Sequence, residues 1–283
     1  MLIWPDCKTI GSLSAGCLEE EVTLRAREVF ETGEPGLLSF DTRRRFGCAG
    51  RIDIFIERAA ESFFADLAKQ LDARRPCVVV TTNRGTMVAV PEWKSGEAPP
   101  HSKTQARKLS GQCPDAFDKP KNAPLLIHKI HPPIRLFILG DGLDSKPFHS
   151  FGNLLGWQLL EIIDANKLAI VPDEWTAAIV KSHNYGRDFS ALKRLLPLDL
   201  RYVGLIGPRK RRNQLLSDLL DLGVTINAGF FAPAGLDLGA ETPEEIALAI
   251  VSEVQRVFAG ASGESLRDRK MSIHASPRSA VLA

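Results

Sequence analysis

From Ile134 onward the chain alternates between apolar runs of strand length and segments with helical spacing, and this alternation restricts the possible folds more than any other feature. The runs that predict strands are IRLFILG (134–140), WQLLEIID (157–164), AAIVKSHN (177–184) and YVGLIG (202–207). Helices are predicted over about 145–155, 188–195 and 209–222. Such alternation is typical of an α/β fold with a Rossmann-like, doubly wound parallel sheet.

The last helix of the chain has the clearest start signal. Thr242 and Glu245 form a capping-box pattern around Pro243, which suits the first helical position. The apolar residues behind them keep the spacing of one helix face, namely Ala247, Ile250, Val251, Val254 and Phe258. We therefore expect a Rossmann-like domain over 132–262, followed by a polar tail over 263–283 that is predicted to be mobile.

The first 131 residues predict a smaller N-terminal α+β domain. Its helices are expected over about 18–31 and 61–74, and its strands are LLSFD (37–41), RIDIFIE (51–57), CVVVTT (77–82), MVAV (87–90) and PLLIHKI (124–130). The NRGT segment between CVVVTT and MVAV predicts a hairpin. Residues 92–123 are polar and rich in Pro, Lys and Ser, so they are expected to form a long loop.

Composition excludes several classes of function. The net charge of +2 gives no indication of nucleic-acid binding. No apolar run reaches the roughly 18 residues that span a bilayer, and the first residues lack the pattern of a signal peptide. The five cysteines are odd in number, scattered and without zinc-site spacing, so we expect reduced thiols, a cytoplasmic protein and no metal site.

The first strand of the C-terminal domain ends in Gly140 and Gly142, and the second ends at Asp164. In a nucleotide-binding Rossmann unit, such glycines let backbone N–H groups approach a pyrophosphate, and the distal acid binds the ribose hydroxyls. However, a third glycine is lacking, and Asp141 and Asp144 place negative charge where a phosphate would lie. NAD(P) or another nucleotide is therefore one hypothesis, and a scaffold without a dinucleotide is the other.

Further candidates follow the other predicted strands, where ligands bind in an open parallel sheet. His183 is either a proton carrier or hydrogen-bond anchor, or it caps a neighbouring loop. Gly207 and Arg209 open a helix with three more cations at 210–212, which indicates either a bound anion or a solvated basic face. Because these residues form no recognisable triad, no catalytic residue is assigned.

Two cysteines stand in turn-like segments of the N-terminal domain. Cys17 ends GSLSAGC before a predicted helix, and Cys48 lies in FGCAG between two predicted strands. Burial is the ordinary state of a free cysteine, so residue chemistry alone favours burial for both. Three arginines at 43–45 either bind a phosphate or belong to a solvated loop.

These segments together resemble the xanthine dehydrogenase accessory proteins, the XdhC/CoxI family. GSLSAGCLEEEV (11–22) is similar to the family signature G-S-I-S-G-G-C-L-E-x-x-V, with Ala15 as a departure. FGCAGRIDIFIE (46–57) is similar to the second signature, G-C-G-G followed by an aliphatic strand, with Ala49 as a departure. GDGLDSKPF, SHNYGRD, YVGLIGPRKRR and the segment around the last helix follow in family order, so the resemblance covers about 10–60 and 134–274.

The resemblance implies a cytoplasmic chaperone that binds molybdenum cofactor (molybdopterin) and supplies its sulfurated form to molybdenum hydroxylases such as xanthine dehydrogenase. The implied partners are the hydroxylase apoenzyme and a cysteine desulfurase. Soft thiolates suit such a metal. The candidate cofactor-binding residues are Ser12, Ser14, Gly16, Cys17, Arg44, Arg45 and Cys48.

Family members usually carry another helix and strand before the first signature, so this N-terminal domain is expected to lack them. Three explanations are open, namely a truncated protein, a misassigned start, or a first unit completed by a partner, and the expected homodimer would be such a partner. The alternative to a non-enzymatic chaperone is an NAD(P)-dependent oxidoreductase, or a nucleotide-using transferase that acts on the cofactor. The candidate nucleotide-binding or phosphate-binding residues are Gly140, Gly142, Asp164, His183, Gly207 and Arg209.

Overall fold

The structure, a computed structural model, describes residues 1–13, 18–41, 50–82, 85–89, 125–140, 142–168 and 170–269. The chain divides into two compact units, Met1–Pro132 and Pro133–Ala283, whereas the sequence placed the boundary after residue 131. The predicted long loop over 92–123 and the end of the predicted tail, 270–283, lie outside the described residues.

The N-terminal unit is built from antiparallel strands and two helices, which confirms the predicted α+β class. Its elements are β1 (Leu2–Ile3), β2 (Thr9–Ile10), α1 (Glu19–Thr32), β3 (Gly36–Asp41), β4 (Arg51–Ile56), α2 (Glu61–Asp72), β5 (Cys77–Thr82), β6 (Gly85–Ala89) and β7 (Leu126–Ile130). The pairs are β1 with β2 and β3 with β4, and β5 lies between β6 and β7. The predicted hairpin of β5 and β6 is confirmed, with Thr82 opposite Gly85.

The C-terminal unit holds a five-stranded, all-parallel sheet among its described residues, which confirms the Rossmann-like prediction. Its elements are β8 (Arg135–Leu139), α3 (Lys146–Leu154), β9 (Gln158–Ile162), β10 (Thr176–Val180), α4 (Tyr185–Leu195), β11 (Tyr202–Leu205), α5 (Arg209–Asp221), β12 (Phe230–Phe231) and α6 (Pro243–Ala259). The strand order is β12-β11-β10-β8-β9, so β9 and β10 lie on opposite sides of β8.

Helices cover both faces of this sheet because side chains alternate between the faces along each strand. On one face Phe137, Val180 and Val203 pack with residues of α4 and α5. On the other face Leu136 and Ile179 pack with residues of α3 and α6. Such burial on both faces explains why the strands read as continuous apolar runs.

Local signals explain where several helices begin and end. Thr242 and Glu245 form the predicted capping box at the start of α6. Gly33 ends α1 in the left-handed conformation, as the TGEPG segment indicated. By contrast, α4 begins three residues before the predicted start at residue 188, because the Asn184 side chain accepts the Arg187 N–H and caps the helix. No helix among the described residues is both long and apolar enough to span a membrane.

Candidate functional site

The strand order places a crevice at the carboxyl ends of β8 and β10. In a doubly wound sheet, ligands bind where the order of the strands reverses, and here the chain leaves β8 for β9 on one side and later reaches β10 on the other. The loops that follow β8 and β10 touch at Gly140, where a Cβ would lie 2.9 Å from the Lys181 carbonyl carbon. Gly140 also has a φ of +138°, so both space and backbone conformation require glycine there.

A buried cation and a carboxylate occupy the centre of this crevice. The Lys181 side chain is fully buried, and its Nζ lies 2.7 Å from Oδ1 of Asp144. His183 Nε2 lies 3.6 Å from the other oxygen of Asp144, and His183 has a left-handed φ of +53°. Burial acts to raise the pKa of the Asp144 carboxyl, but Lys181 and His183 together hold that pKa below its ordinary value. Asp144 is therefore ionised at neutral pH and compensates the charge of Lys181.

Gly142, the second predicted phosphate-binding glycine, lies under this carboxylate. A Cβ on Gly142 would be 2.7 Å from Oδ1 of Asp144, so the acid covers the place where a pyrophosphate would approach the backbone. Two of the predicted nucleotide-binding residues, Gly142 and His183, therefore lie against the Asp144 carboxylate and do not form an open phosphate site.

An open cavity of about 440 Å³ lies beside this cluster. It is lined by two of the predicted residues, Gly140 and Asp164, and by the ends of β8 and β10 together with the first turns of α4. Ser182 and Asn184, the sequence neighbours of His183, also line it, as expected for the segment after β10. Sequence reasoning missed other polar residues of the lining, among them Asn166, Arg187 and Ser190. Asp164 uses one oxygen to accept the Asn166 N–H at 2.9 Å and so caps the short turn Ala165–Lys167.

One wall of the cavity is held by a buried ion pair. Asp188 is fully buried, accepts the Ser182 N–H at 3.1 Å, and forms an ion pair with Arg211. The basic first turn of α5 therefore does meet an anion, but that anion is a carboxylate of this chain. Gly207 and Arg209 do not line the cavity, and Arg209 is exposed at the start of α5.

In the N-terminal unit, most of the predicted cofactor-binding residues lie outside the described part of the chain. These are Ser14, Gly16, Cys17, Arg44, Arg45 and Cys48, whereas Ser12 is described and exposed. The two ends of the segment over 14–17 are joined by Glu19, whose carboxylate accepts the N–H of Leu13 at 3.0 Å and that of Leu18 at 3.1 Å. The family-signature glutamate thus has a structural role beside Cys17.

The described residues next to the segments that contain Cys17 and Cys48 lie at the same end of a helix–hairpin layer. Leu18, at the start of α1, belongs to one buried cluster with Phe40, near the end of β3. At the opposite end, a Cβ on Gly36 would lie 3.5 Å from Val29, so α1 and β3 run antiparallel. The start of α1 and the end of β3 therefore lie on one side of the unit.

Among the described residues, no group of three or more His, Cys, Asp or Glu could hold a metal ion.

The sequence contained a partial signal for the residues of the crevice that were missed. Lys181 follows the apolar run of β10 directly, and a charged residue there indicates the end of a strand. The Asp144 carboxylate that it contacts is 37 residues away, so the sequence alone could not pair the two.

Both units match known protein families. Residues 136–254 match the XdhC Rossmann domain, and residues 1–41 match the XdhC and CoxI family. The chain is 26% identical over 293 aligned residues to a probable xanthine dehydrogenase subunit of Bacillus subtilis, covering 90% of this chain and 86% of that protein. It is 33% identical over 98 residues to the uncharacterised protein YqeB of Escherichia coli, which covers 34% of this chain and 17% of that protein.

A solved structure has the same fold. It is described as a xanthine dehydrogenase from Bacillus halodurans and superposes with a TM-score of 0.68 over 93% of this chain and 87% of that chain. The sequence identity to it is 22%, so the likeness concerns the fold.

Proposed function

The chain belongs to the XdhC and CoxI family, and from this membership we propose that it is an accessory protein that binds molybdenum cofactor and helps to load a molybdenum hydroxylase such as xanthine dehydrogenase. The name of the Bacillus subtilis relative supports an association with xanthine dehydrogenase. We assign it a binding role rather than catalysis, and place it in the cytoplasm because of its odd, scattered cysteines. A cysteine desulfurase and a second copy of the chain are the other proposed partners.

One observation carries this proposal. Leu18 and Phe40, which lie next to the segments that contain Cys17 and Cys48, share a buried cluster at one end of the α1–β3 layer. Two thiols from separate parts of the sequence can therefore contribute to one soft-ligand site. Glu19 joins the two ends of the first segment, because its carboxylate accepts the N–H groups of Leu13 and Leu18.

The donor set fits the chemistry of the proposed ligand. Molybdenum cofactor would supply a dithiolene-bound metal with a transferable sulfur ligand and a terminal phosphate. In this proposal Cys17 and Cys48 hold or shield the sulfur-sensitive end, and Arg44 and Arg45 bind the phosphate through charge-assisted hydrogen bonds. Ser12 and Ser14 orient the ligand by donating hydrogen bonds.

The test is retention of the cofactor by the purified protein. The full chain is produced in cells that synthesise the cofactor, and bound molybdenum and pterin are measured by elemental analysis and pterin fluorescence. Wild type is expected to retain both, whereas Cys17→Ser and Cys48→Ser should lose most of each. Cys7→Ser is the matched control, because that thiol lies in the turn between β1 and β2, outside both signatures, and accepts a hydrogen bond from Arg27. Equal retention in all four proteins would contradict the proposal.

A further inference from the structure

We propose that the cavity at the carboxyl ends of β8, β9 and β10 is a ribonucleotide site that takes one nucleoside 5′-phosphate unit, and that Asp164 binds the ribose diol. Its volume of about 440 Å³ is near the lower end of the roughly 300–1,000 Å³ range of ligand sites, as a single nucleotide requires. The site lies in the C-terminal unit and shares no residue with the proposed molybdenum-cofactor site.

The shape of the cavity follows from the connection between β9 and β10. A doubly wound sheet usually has a helix after each strand, but between β9 and β10 the described chain has only the short turn Ala165–Lys167. This turn packs beside α4 and leaves the carboxyl end of the sheet open. Leu139, Val180 and Ala191 lie beneath the cavity and are almost completely buried. The apolar surface that can contact the flat face of a base comes from Ile163, which lines the cavity and is exposed.

Asp164 is placed to bind a ribose. It lies two residues after the end of β9, the position from which an acid of a Rossmann-type unit reaches the ribose hydroxyls. One of its oxygens accepts the Asn166 N–H, which fixes the orientation of the carboxylate. The second oxygen can then accept hydrogen bonds from a 2′,3′-diol, and a charged acceptor makes such bonds stronger.

The site suits a mononucleotide better than a dinucleotide. A pyrophosphate would have to lie over Gly142, but the Asp144 carboxylate covers that glycine and is held there by the buried Lys181. A single phosphate can instead lie at the first turn of α4, where Gly186 has no side chain and Arg187 brings a positive charge to the rim. The helix N-terminus adds a favourable partial charge.

The test is calorimetric titration of the full-length protein with 5′-AMP, GMP, CMP and UMP, with the 2′-deoxy form of whichever binds, and with NADH and NADPH. At least one ribonucleotide should bind saturably. Its deoxy form should bind about tenfold more weakly, because it loses roughly one charge-assisted hydrogen bond to Asp164. Asp164→Asn keeps the acceptor for Asn166 but removes the charge, so it should weaken ribonucleotide binding about tenfold and weaken binding of the deoxy form, which keeps only the 3′-hydroxyl, by less. Asp221→Asn at the end of α5 is the matched control.

Three results would overturn the inference. These are no binding of any ribonucleotide, equal affinity for the ribo and deoxy forms in wild type, or a dinucleotide that binds more tightly than every mononucleotide. The last result would instead favour the NAD(P)-dependent hypothesis. Molybdenum and pterin retention is measured separately and depends on Cys17, so each proposal can fail without the other.

Discussion

The two tyrosines of the chain each donate a hydrogen bond to a carboxylate, one in the buried core and the other near the surface. Tyr202 is fully buried in β11 and donates to Glu253 at 2.8 Å, and Glu253 also accepts the Gly235 N–H at 2.8 Å. This carboxylate therefore joins the sheet, α6 and the loop before α6. Tyr185, in contrast, lies at the start of α4 and donates to Asp218 of α5.

Replacing Tyr202 by Phe should lower the free energy of unfolding by about 1–3 kcal/mol, because a buried carboxylate oxygen of Glu253 would lose one of its two donors. Urea denaturation followed by circular dichroism measures this change. Tyr185→Phe is the matched control and should cost less, since water can replace the donor to Asp218. If both variants lost the same free energy of unfolding, burial would not determine how much the Tyr202–Glu253 hydrogen bond contributes to stability.

The same tyrosines predict a loss of stability at alkaline pH. Burial beside Glu253 raises the pKa of Tyr202 above its ordinary value, and the Asp218 carboxylate raises the pKa of Tyr185 to about 12. The folded protein thus holds both protons more tightly than the unfolded chain. This stabilising contribution is complete below about pH 10, the pKa of an unperturbed tyrosine, and is lost as the pH rises above it. Tyrosinate absorbance should therefore stay low in the native protein at about pH 10 and rise there only after denaturation.

Among the helices, α6 shows how a local pattern can fix an element boundary. The Thr242 hydroxyl accepts the Glu245 N–H, and the Glu245 carboxylate accepts the Thr242 N–H at 2.9 Å, so both partners lie within four residues. Such short-range geometry is encoded by the sequence alone. The first turn of α5 differs, because its cations oppose the helix dipole and Arg211 is compensated by the distant Asp188.

Thr242→Ala should lower the free energy of unfolding by about 1 kcal/mol, the usual cost of losing an N-cap. Thr242→Ser keeps the hydroxyl and should retain the stability of wild type. Thermal unfolding of the three proteins provides the measurement. If the Ala and Ser variants unfolded at the same temperature, the capping box would not contribute to stability.

At the scale of the whole molecule, the sequence predicted the elements better than their arrangement. The alternation after Ile134 was enough to predict a parallel sheet. The strand order was not predictable, because nothing local in β9 or β10 states on which side of β8 each one pairs. The edge strand β12 was missed because Phe230 and Phe231 are too short a run to show a period.

The candidate site was predictable only where one residue carries the signal. Gly140 and Asp164 were selected because glycine after a strand and an acid after the next strand are typical of nucleotide sites, and the structure places both at the cavity, while their binding role stays a prediction. Gly207 and Arg209 were selected by the same reasoning but lie elsewhere, because the basic turn is used for an internal ion pair. Lys181 can be buried because the Asp144 carboxylate compensates its charge. Since the two residues are far apart in the sequence, residue spacing does not predict that they pair.

The distribution of buried clusters leads to a prediction for the separate units. Two large clusters lie wholly within Pro133–Ala283 and one smaller cluster lies wholly within Met1–Pro132. A unit of that size with its own core has the properties of an independent domain. A fragment that begins at Pro133 should therefore give a cooperative urea transition, and Tyr202→Phe should shift its midpoint in the same direction as in the full chain. A fragment without a cooperative transition would show that the sheet needs the N-terminal unit to fold.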